Sequence, residues 1–462
     1  MNKRIINRLQ KIVGVKYVSI AENDRTNHSK DKSYYKAVMP DVVVWPKNTK
    51  EVSAIAQICY TNAIPLTPWG GGTSLMGNSI PVKKGVVINL TRMNKILDIS
   101  KEGFQVIVEP GIICDALNLK LAAYKLFFPP FPGSSHIATI GGMIATNAGG
   151  MYAVKYGVTG DWVMQLEVVL AHGEIITVGS KSIKSVAGYN MMPLFIGNSG
   201  TLGIVTKAVL KVCPLPEFEM AAVVAFDNLS DLSTAIGLIL ASHIKPAALE
   251  LMDAGYVQLA NKAQNKIILM EMETLLIELH GPKIELQRQL LQLESICREL
   301  QAVTYDNYTT PAQVDALWGC RKGIRIAFQK LEPTKAVLSA EVGVPIQYVP
   351  HFIKNAQALR GQYDVAMLNH GHVGDGNFHT WVMYDVGNKK SYENALAVNE
   401  ELTRYAISVG GTASGEHGLG VGKREFLRLE HPTSIGLMQE IKKLFDPKGI
   451  LNPGKIFPEG VV

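Results

Sequence analysis

The stretch NHGHVGDGNFH, residues 369–379, places His372 and His379 on either side of a glycine-rich turn. A second cluster, GEHGLG, adds Glu416 and His417 further along the chain. Neutral imidazoles and a carboxylate form a ligand set that is typical of divalent metals. Glycines allow the backbone to bend, so that ligands on a short segment can converge. The two clusters together predict a divalent metal site.

Two histidines and one carboxylate would leave coordination positions open for a substrate oxygen. A cation bound there could polarise that oxygen and make its proton easier to remove. His417, next to a predicted ligand, is the candidate general base because its reference pKa lies near the operating pH. The alternative is that these histidines and the neighbouring His370 are structural, and the spacing alone does not identify the metal.

The length and composition indicate a globular protein with more than one domain. The chain has 462 residues, of which 47% are hydrophobic and 19% charged, and a chain of this length is expected to form two domains. The net charge of +6 is mild, and the basic residues form no aromatic-interleaved stripe of the kind that binds nucleic acid. A positively charged cleft for anionic substrates is the better explanation of the excess of basic residues.

The cysteine pattern indicates a reducing compartment. Five scattered cysteines with no CxxC pair argue against an iron–sulfur cluster or a cysteine-bound zinc on this chain. No apolar run approaches the roughly 20 residues of a membrane span. The basic N-terminus predicts an amphipathic first helix, with a weak surface anchor or a transit-like segment as the alternative. We therefore expect a cytoplasmic protein, with peripheral attachment to a membrane as the alternative location.

Three glycine-rich segments follow strand-like sequences in the first half of the chain. They are PWGGGTSLMG at 68–77, FPGSSHIATIGGMIATNAGG at 131–150 and FIGNSGTLGIVTKAVLKV at 195–212. Repeated glycines and hydroxyls indicate backbone pressed against a flat or phosphorylated ligand. Pro214 and Pro216 then mark a plausible boundary, so we predict domains at 1–216 and 217–462.

The second half alternates strand and helix patterns and is typical of an α+β domain. A helix is predicted from Trp318 to Lys330, with Arg321 and Arg325 one turn apart on one face. Two guanidinium groups near a metal site would suit a carboxylate substrate. A solvated charged face is the alternative explanation of this pattern.

From about Asp41 to its end the chain resembles FAD-linked oxidoreductases of the vanillyl-alcohol oxidase and p-cresol methylhydroxylase type. The glycine-rich loops and the HGHVGDGNFH and GEHG motifs occur in family order. They are most similar to the branch that contains D-lactate dehydrogenases, the glycolate oxidase flavin subunit and D-2-hydroxyglutarate dehydrogenase. The resemblance implies an α+β fold: a two-subdomain FAD-binding domain of the p-cresol methylhydroxylase type, an α+β cap domain with an antiparallel sheet, and a C-terminal tail that returns to the FAD domain.

The resemblance also assigns residues to the cofactor. FAD would be held without a covalent bond, since no histidine lies in the PWGGGTS loop. The implied FAD-binding residues are Pro68, Gly70, Gly71, Gly72, Thr73, Ser74, Gly77, Pro132, Ser134, Ser135, Thr139, Gly141, Gly142, Ala145, Asn147, Gly149, Gly203, Ile204 and Asn452.

The second half receives its roles in the same way. The implied metal ligands are His372, His379 and Glu416, with zinc or manganese as the expected ion. His417 is implied as the base, Arg321 as the residue that binds the substrate carboxylate, and Arg325 as its helper.

The chain departs from the family pattern in four places. Ser199 replaces an acid in the GNSGTLG loop and Met143 replaces an asparagine, and neither change removes a glycine. Trp381 and Ser339 stand where the hydroxyglutarate enzymes carry an asparagine and a lysine. These two positions favour a small substrate over a dicarboxylate.

The resemblance implies a dehydrogenase that oxidises a small D-2-hydroxy acid, D-lactate being favoured, to the 2-oxo acid. The electron acceptor is expected to be a quinone, a cytochrome or an electron-transfer flavoprotein. Two alternatives remain: the flavin subunit of a multi-subunit glycolate oxidase with an iron–sulfur partner, or a non-redox or alkyl-transfer flavoprotein on the same scaffold. No nucleic-acid partner is expected.

Overall fold

The structure is a computed structural model that describes residues 1–321 and 324–458. Two compact units are present, and each consists of more than one segment of the chain. The first unit contains residues 1–150, 157–215 and 416–458, and the second contains residues 151–156 and 216–415. The long segment of the second unit begins after Leu215, and the described residues after Gly415 belong to the first unit.

The helices, in chain order, are α1 (Lys3–Val13), α2 (Glu22–Asn27), α3 (Thr49–Thr61), α4 (Cys114–Ala122), α5 (Ile140–Thr146), α6 (Ala153–Tyr156), α7 (Thr159–Trp162), α8 (Leu229–Ala241), α9 (Ala254–Gln264), α10 (Lys283–Glu299), α11 (Pro311–Gly319), α12 (Ile324–Leu331), α13 (Val349–Gln362), α14 (Lys389–Ser408), α15 (Gly420–Lys423), α16 (Leu427–Glu430) and α17 (Ile435–Phe445).

The strands are β1 (Val18–Ser19), β2 (Val42–Val44), β3 (Leu66–Trp69), β4 (Val86–Asn89), β5 (Ile96–Ser100), β6 (Gln105–Val108), β7 (Leu126–Phe127), β8 (Val163–Val169), β9 (Ile175–Gly179), β10 (Ile204–Lys211), β11 (Cys213–Pro214), β12 (Phe218–Phe226), β13 (Pro246–Met252), β14 (Glu273–Gly281), β15 (Thr304–Tyr308), β16 (Lys335–Gly343), β17 (Met367–His372) and β18 (Asn377–Asp385).

The first unit is built on two sheets. One has the order β1-β2-β4-β3, with β2, β4 and β3 parallel, and the other is antiparallel with the order β5-β6-β10-β8-β9. The short strands of the first sheet are buried on both faces, which is typical of parallel strands. Helix α1 buries Ile5, Leu9 and Val13 against this sheet's core, so the predicted amphipathic first helix is confirmed.

The second unit is built on one antiparallel sheet. Its order, within the described residues, is β15-β12-β14-β13-β17-β18-β16. One face carries the largest apolar core, covered by α8, α10, α13 and α14. The opposite face carries a second apolar cluster and several buried polar side chains. The predicted α+β organisation of the second half with an antiparallel sheet is confirmed.

The prediction of one continuous helix from Trp318 to Lys330 is wrong. Helix α11 ends at Gly319 and α12 begins at Ile324, while residues 322 and 323 lie outside the described part of the chain. Arg321 therefore lies in the link and only Arg325 is helical. In the sequence, the apolar residues of α11 and α12 look like one continuous helical pattern. The reason is that both helices bury their apolar sides in the same hydrophobic cluster.

Candidate functional site

A cleft of about 1220 Å3 lies in the first unit beside the first glycine-rich loop. Its lining includes Gly70, Gly71 and Thr139, three of the predicted cofactor residues. Glycines in such a lining leave backbone amides exposed to a bound group and keep side chains out of its path. The size and the lining fit an elongated cofactor with phosphates.

The same glycines are also required by the packing of the loop. A Cβ on Gly70 would lie 2.3 Å from Thr139 Oγ1, and one on Gly71 would lie 2.2 Å from Ile137 O. Gly72 adopts a φ of +64°, which L-residues rarely adopt. The PWGGGTS loop and the segment before α5 are therefore in direct contact, so two of the predicted cofactor segments form one wall.

The third glycine-rich segment and the C-terminal tail meet at Asn452. Its amide nitrogen donates to Asn78 O at 2.9 Å and to Ser199 O at 2.7 Å. Its amide oxygen is buried and has no hydrogen-bond partner within the described residues. A buried amide oxygen without a partner costs free energy, so this atom suits a donor on a bound cofactor. Gly203 and Ile204 follow at the start of β10, where Gly203 packs against Phe195.

The remaining predicted cofactor residues lie on strand β3, on helix α5 and in the loops next to them. Ser74 Oγ accepts from Asn78 Nδ2 at 2.9 Å, and Asn147 is left-handed with φ +52° and accepts from Gly160 N. All of the predicted cofactor residues belong to the first unit, and they are Pro68, Thr73, Gly77, Pro132, Ser134, Ser135, Gly141, Gly142, Ala145 and Gly149 in addition to those named above.

Sequence reasoning missed one side of this cleft. Strand β5 was not predicted, yet residues 96–99 line the cleft together with Asn94, Lys120 and Tyr124. Strand β5 is half exposed and has no strong apolar alternation, which left no periodic signal to read.

In the second unit the HGHVGDGNFH motif forms a hairpin. His370 and His372 lie on β17, residues 373–376 form the turn, and His379 lies on β18 directly opposite His370. The ring centroids of His372 and His379 are 5.1 Å apart. The predicted glycine-rich turn is present, but the histidines lie on strands. Strand geometry places side chains two apart on one face, and this alternation brings them together.

Glu250 on β13 organises this hairpin and was missed in the sequence. It is fully buried, it pairs with Arg321, and its Oε1 lies 2.6 Å from Nδ1 of His372. The ring nitrogen donates to the carboxylate, so Nε2 is the nitrogen of His372 that would serve as a metal ligand. A carboxylate behind a histidine is the usual partner of a metal-bound imidazole. The signal was present: PAALELM carries one acid inside an apolar strand.

The two predicted arginines have different surroundings. Arg321 donates to Glu250 through one guanidinium nitrogen, Nη1. Arg325, on α12, is partly buried, and burial alone lowers the pKa of its guanidinium; within the described residues no carboxylate contributes to that shift. A partly buried guanidinium without an acid nearby is suited to binding a carboxylate ligand.

Glu341 on β16 is a second buried acid that sequence reasoning missed. It accepts from Asn377 Nδ2 at 2.6 Å, from Ser414 Oγ at 2.9 Å and from Gly415 N at 2.7 Å. The carboxylate therefore fixes the end of the hairpin turn and the segment that precedes Glu416.

Trp381 and Ser339, two positions that depart from the hydroxyglutarate enzymes, face each other across β18 and β16. Trp381 is 6% exposed and packs edge-on against His370, Tyr256 and Phe328, with ring centroids 5.6 to 6.0 Å apart. This aromatic cluster fills the sheet surface beside His379 and reduces the room for a long substrate on that side.

Glu416 and His417 belong to the first unit and are half buried. The main-chain carbonyl of His417 accepts from Asn78 Nδ2 at 2.8 Å, which fixes the backbone of the GEHG motif next to the first glycine-rich loop. The predicted metal set thus draws residues from both units and stays a prediction.

Two protein-family models match this chain. The model described as "FAD linked oxidases, C-terminal domain" matches residues 215–456, and the model described as "FAD binding domain" matches residues 40–179. The chain belongs to the FAD-linked oxidases. It is an FAD-dependent oxidoreductase with a p-cresol methylhydroxylase type fold, as the sequence motifs indicated.

Curated relatives agree along nearly the full length. The chain is 36% identical to glycolate oxidase subunit GlcD of Bacillus subtilis, which covers 99% of this chain and 97% of the relative. It is 34% identical to a probable mitochondrial D-lactate dehydrogenase of Danio rerio, covering 98% and 92%. It is 35% identical to D-lactate dehydrogenase of Anaerostipes hadrus, covering 94% and 93%.

Solved structures show the same fold at low identity. A 4-ethylphenol oxidase from Gulosibacter chungangensis superposes with a TM-score of 0.81 at 19% identity, over 99% of this chain and 98% of that one. A p-cresol methylhydroxylase superposes with a TM-score of 0.80 at 17% identity, over 98% of this chain and 96% of that one.

Within residues 1–321 and 324–458, every helix is too short or too polar to cross a bilayer.

Proposed function

We propose that this protein oxidises a small D-2-hydroxy acid, with D-lactate favoured, to the corresponding 2-oxo acid. The observation that carries the proposal is the buried Glu250, which holds Arg321 on one oxygen and His372 on the other. One carboxylate thereby couples a substrate-binding cation to a metal-binding imidazole. The relatives named D-lactate dehydrogenase and glycolate oxidase support this class of substrate.

The proposed metal ligands are His372, His379 and Glu416, with zinc or manganese as the ion. The chemistry of the donors fits: two imidazoles on one sheet face, one of them oriented by a buried carboxylate. A bound cation would hold the substrate hydroxyl and lower its pKa.

Arg325 and Arg321 would bind the substrate carboxylate, and His417 would take the hydroxyl proton. FAD held by the first unit would supply the acceptor for the hydride of the α-carbon. The chain supplies orientation and charge for that transfer. The aromatic cluster around Trp381 favours an acid with a short side chain.

Anaerobic bleaching of the flavin absorbance tests the proposal. D-lactate, L-lactate, glycolate and D-2-hydroxyglutarate are added in turn to the FAD-bound protein, before and after treatment with a chelator. We expect D-lactate to bleach the flavin and the chelator to slow bleaching strongly. If none of the four acids bleaches a fully FAD-loaded protein, the proposed substrate class is wrong.

A second candidate is the flavin subunit of a glycolate oxidase complex, which the 36% identity to the Bacillus subtilis subunit favours. Electrons would then pass through an iron–sulfur partner to a quinone or a cytochrome, and an electron-transfer flavoprotein is a further possible acceptor. Faster bleaching by glycolate than by D-lactate, together with co-purification of a cysteine-rich partner, would favour this candidate.

A further inference from the structure

A second polar cluster lies on the same sheet as the hairpin and is used by none of the steps above. It consists of Glu219 on β12 and Glu278 and His280 on β14. Glu219 lies directly opposite His280 in the strand register, and Glu278 is two residues before His280 on the same face. One ligand atom from each of the three side chains lies within 4.8 Å of those of the other two.

One carboxylate oxygen of Glu278 is buried and unsatisfied among the residues that the structure describes. The residue is 1% exposed, and its Oε1 accepts from His280 Nε2 at 2.5 Å and from Tyr152 OH at 3.2 Å. Its Oε2 is buried and has no hydrogen-bond partner within the part of the chain that the structure describes. A buried carboxylate oxygen without a donor or a cation is costly, so this atom points to a ligand.

His280 is held in the orientation of a metal ligand. Its Nδ1 lies 2.9 Å from the hydroxyl of Tyr156, and Nε2 is the nitrogen that faces the carboxylate. Metal-bound histidines have their second nitrogen fixed in this way. Atoms bound at about 2.0–2.2 Å to one zinc ion lie roughly 3.3 Å apart, so the His280–Glu278 contact must widen by less than about 1 Å.

We propose that Glu219, Glu278 and His280 bind a divalent transition-metal ion, with Zn2+ as the expected ion. One imidazole and two carboxylates are a suitable ligand set for zinc. The ion neutralises the buried carboxylate. Because Tyr152 and Tyr156 bond to two of the ligands, it also strengthens the attachment of segment 151–156 to the sheet.

The test is a count of bound Zn2+ in the FAD-loaded protein after chelator treatment, by calorimetric titration and by elemental analysis. We expect His280→Gln and Glu219→Gln each to lose one equivalent of Zn2+ relative to the wild type. Glu217→Gln is the matched control, because Glu217 is exposed and directly precedes β12. His372→Gln should retain the equivalent that the other two variants lose, which separates this site from the proposed catalytic one.

The half-buried Glu219 is the variant that keeps the test decisive if His280→Gln folds poorly, as judged by its FAD content. Unchanged Zn2+ stoichiometry in Glu219→Gln would overturn the proposal. Loss of all Zn2+ binding in His372→Gln would overturn it too, and would leave the cluster as a hydrogen-bonded histidine–carboxylate pair.

Discussion

At the scale of single residues, the buried acids of the second unit position the candidate site residues more than the exposed charged side chains do. Glu250 and Glu341 are both fully buried and each is surrounded by groups that donate to it. A buried carboxylate is stable only when it is paired and hydrogen-bonded. These acids therefore fix the positions of the groups around them, and they set the orientation of His372 and of the segment before Glu416.

Glu250→Gln is expected to weaken Zn2+ binding to the hairpin histidines by about 10–100-fold, because an amide orients the imidazole less firmly and raises its basicity as a ligand less than a carboxylate does. Calorimetric titration of the FAD-loaded protein measures this affinity. Glu271→Gln serves as the control, since Glu271 is exposed in the same unit. Equal affinities in the two variants would contradict a positioning role for Glu250.

Arg325→Met is expected to raise the KM for D-lactate by about 10–100-fold with little loss of FAD, because one charge-assisted contact to the substrate carboxylate is removed. Steady-state kinetics with a dye acceptor give the KM. Lys330→Met is the control on the same helix, where the lysine is exposed. A KM that does not change in Arg325→Met assigns the carboxylate to Arg321 alone.

Lys455 is expected to make the stability of the first unit depend on pH. Its side chain is 1% exposed and donates to Ile80 O, and burial lowers its pKa to about 7, opposed by nearby Asp31. Between about pH 7 and the ordinary lysine pKa of about 10.4, the unfolded chain binds a proton there that the folded chain does not. Stability contributed by this site therefore rises with pH in that window, by at most about 1.4 kcal/mol per pH unit.

Lys455→Met is expected to remove this contribution. Thermal unfolding of wild type and variant from pH 7 to pH 10 should show the wild type gaining relative to the variant as the pH rises. Below pH 7 the difference should level off. A difference in Tm that is constant across the whole range would show that Lys455 stays charged in the folded protein.

At the scale of elements, the carboxylate of Asp253 links helix α9 to strand β17 of the β17–β18 hairpin. Asp253 caps α9 by accepting from Tyr256 N at 2.8 Å, and its second oxygen accepts from the main-chain nitrogen of Asn369 on β17 at 2.6 Å. A side chain that closes a helix end and also satisfies a strand amide links the two elements directly. The start of the HGH motif is thereby tied to α9.

Asp253→Ala is expected to lower the free energy of unfolding by about 2–4 kcal/mol, since both the cap and a partner of a buried amide are lost. Asn228→Ala is the matched comparison, because Asn228 caps α8 in the same unit and is exposed; it should cost about 1 kcal/mol. Urea unfolding followed by circular dichroism measures both. Equal losses would contradict the link between α9 and β17.

The sequence predicted elements well where the signal was local. The α+β second half and the glycine-rich turn between His372 and His379 both follow from periodicity and glycine placement. Strand β5 and the break between α11 and α12 were missed. In both places the spacing of apolar residues did not indicate the element that forms, because neighbours distant in the chain decide which of these side chains are buried.

At the scale of the whole molecule, the C-terminal segment packs into the same unit as the N-terminal segment. Residues 416–458 belong to the first unit, where Leu451 bridges to Leu66 and Lys442 Nζ donates to Thr201 O at 2.7 Å.

Among the cysteines, Cys59, Cys114, Cys297 and Cys320 are buried, and burial raises their thiol pKa values to about 12. Such thiols are poor ligands at neutral pH, so electrons that leave the flavin are expected to go to an external acceptor.

The purified, FAD-loaded chain is therefore expected to reduce a dye acceptor with D-lactate while containing no iron. Elemental analysis and dye-reduction assays on the same preparation measure both quantities. Iron in a fixed ratio to this chain, retained after all other proteins are removed, would contradict the expectation. Activity that appears only when a cysteine-rich protein is added would instead support the multi-subunit candidate.

By itself the sequence determined the family and the glycine-rich loops, and it predicted the residue types of the proposed metal and substrate sites, because motif spacing and glycine placement are local properties of the chain. Only the tertiary structure decided that Glu250 joins Arg321 to His372, that Asn452 donates to Asn78 and Ser199, and that Glu219 meets His280. The physical reason is that a buried charge or amide must be satisfied by groups that strand register and chain return bring together, and those partners are distant in the sequence.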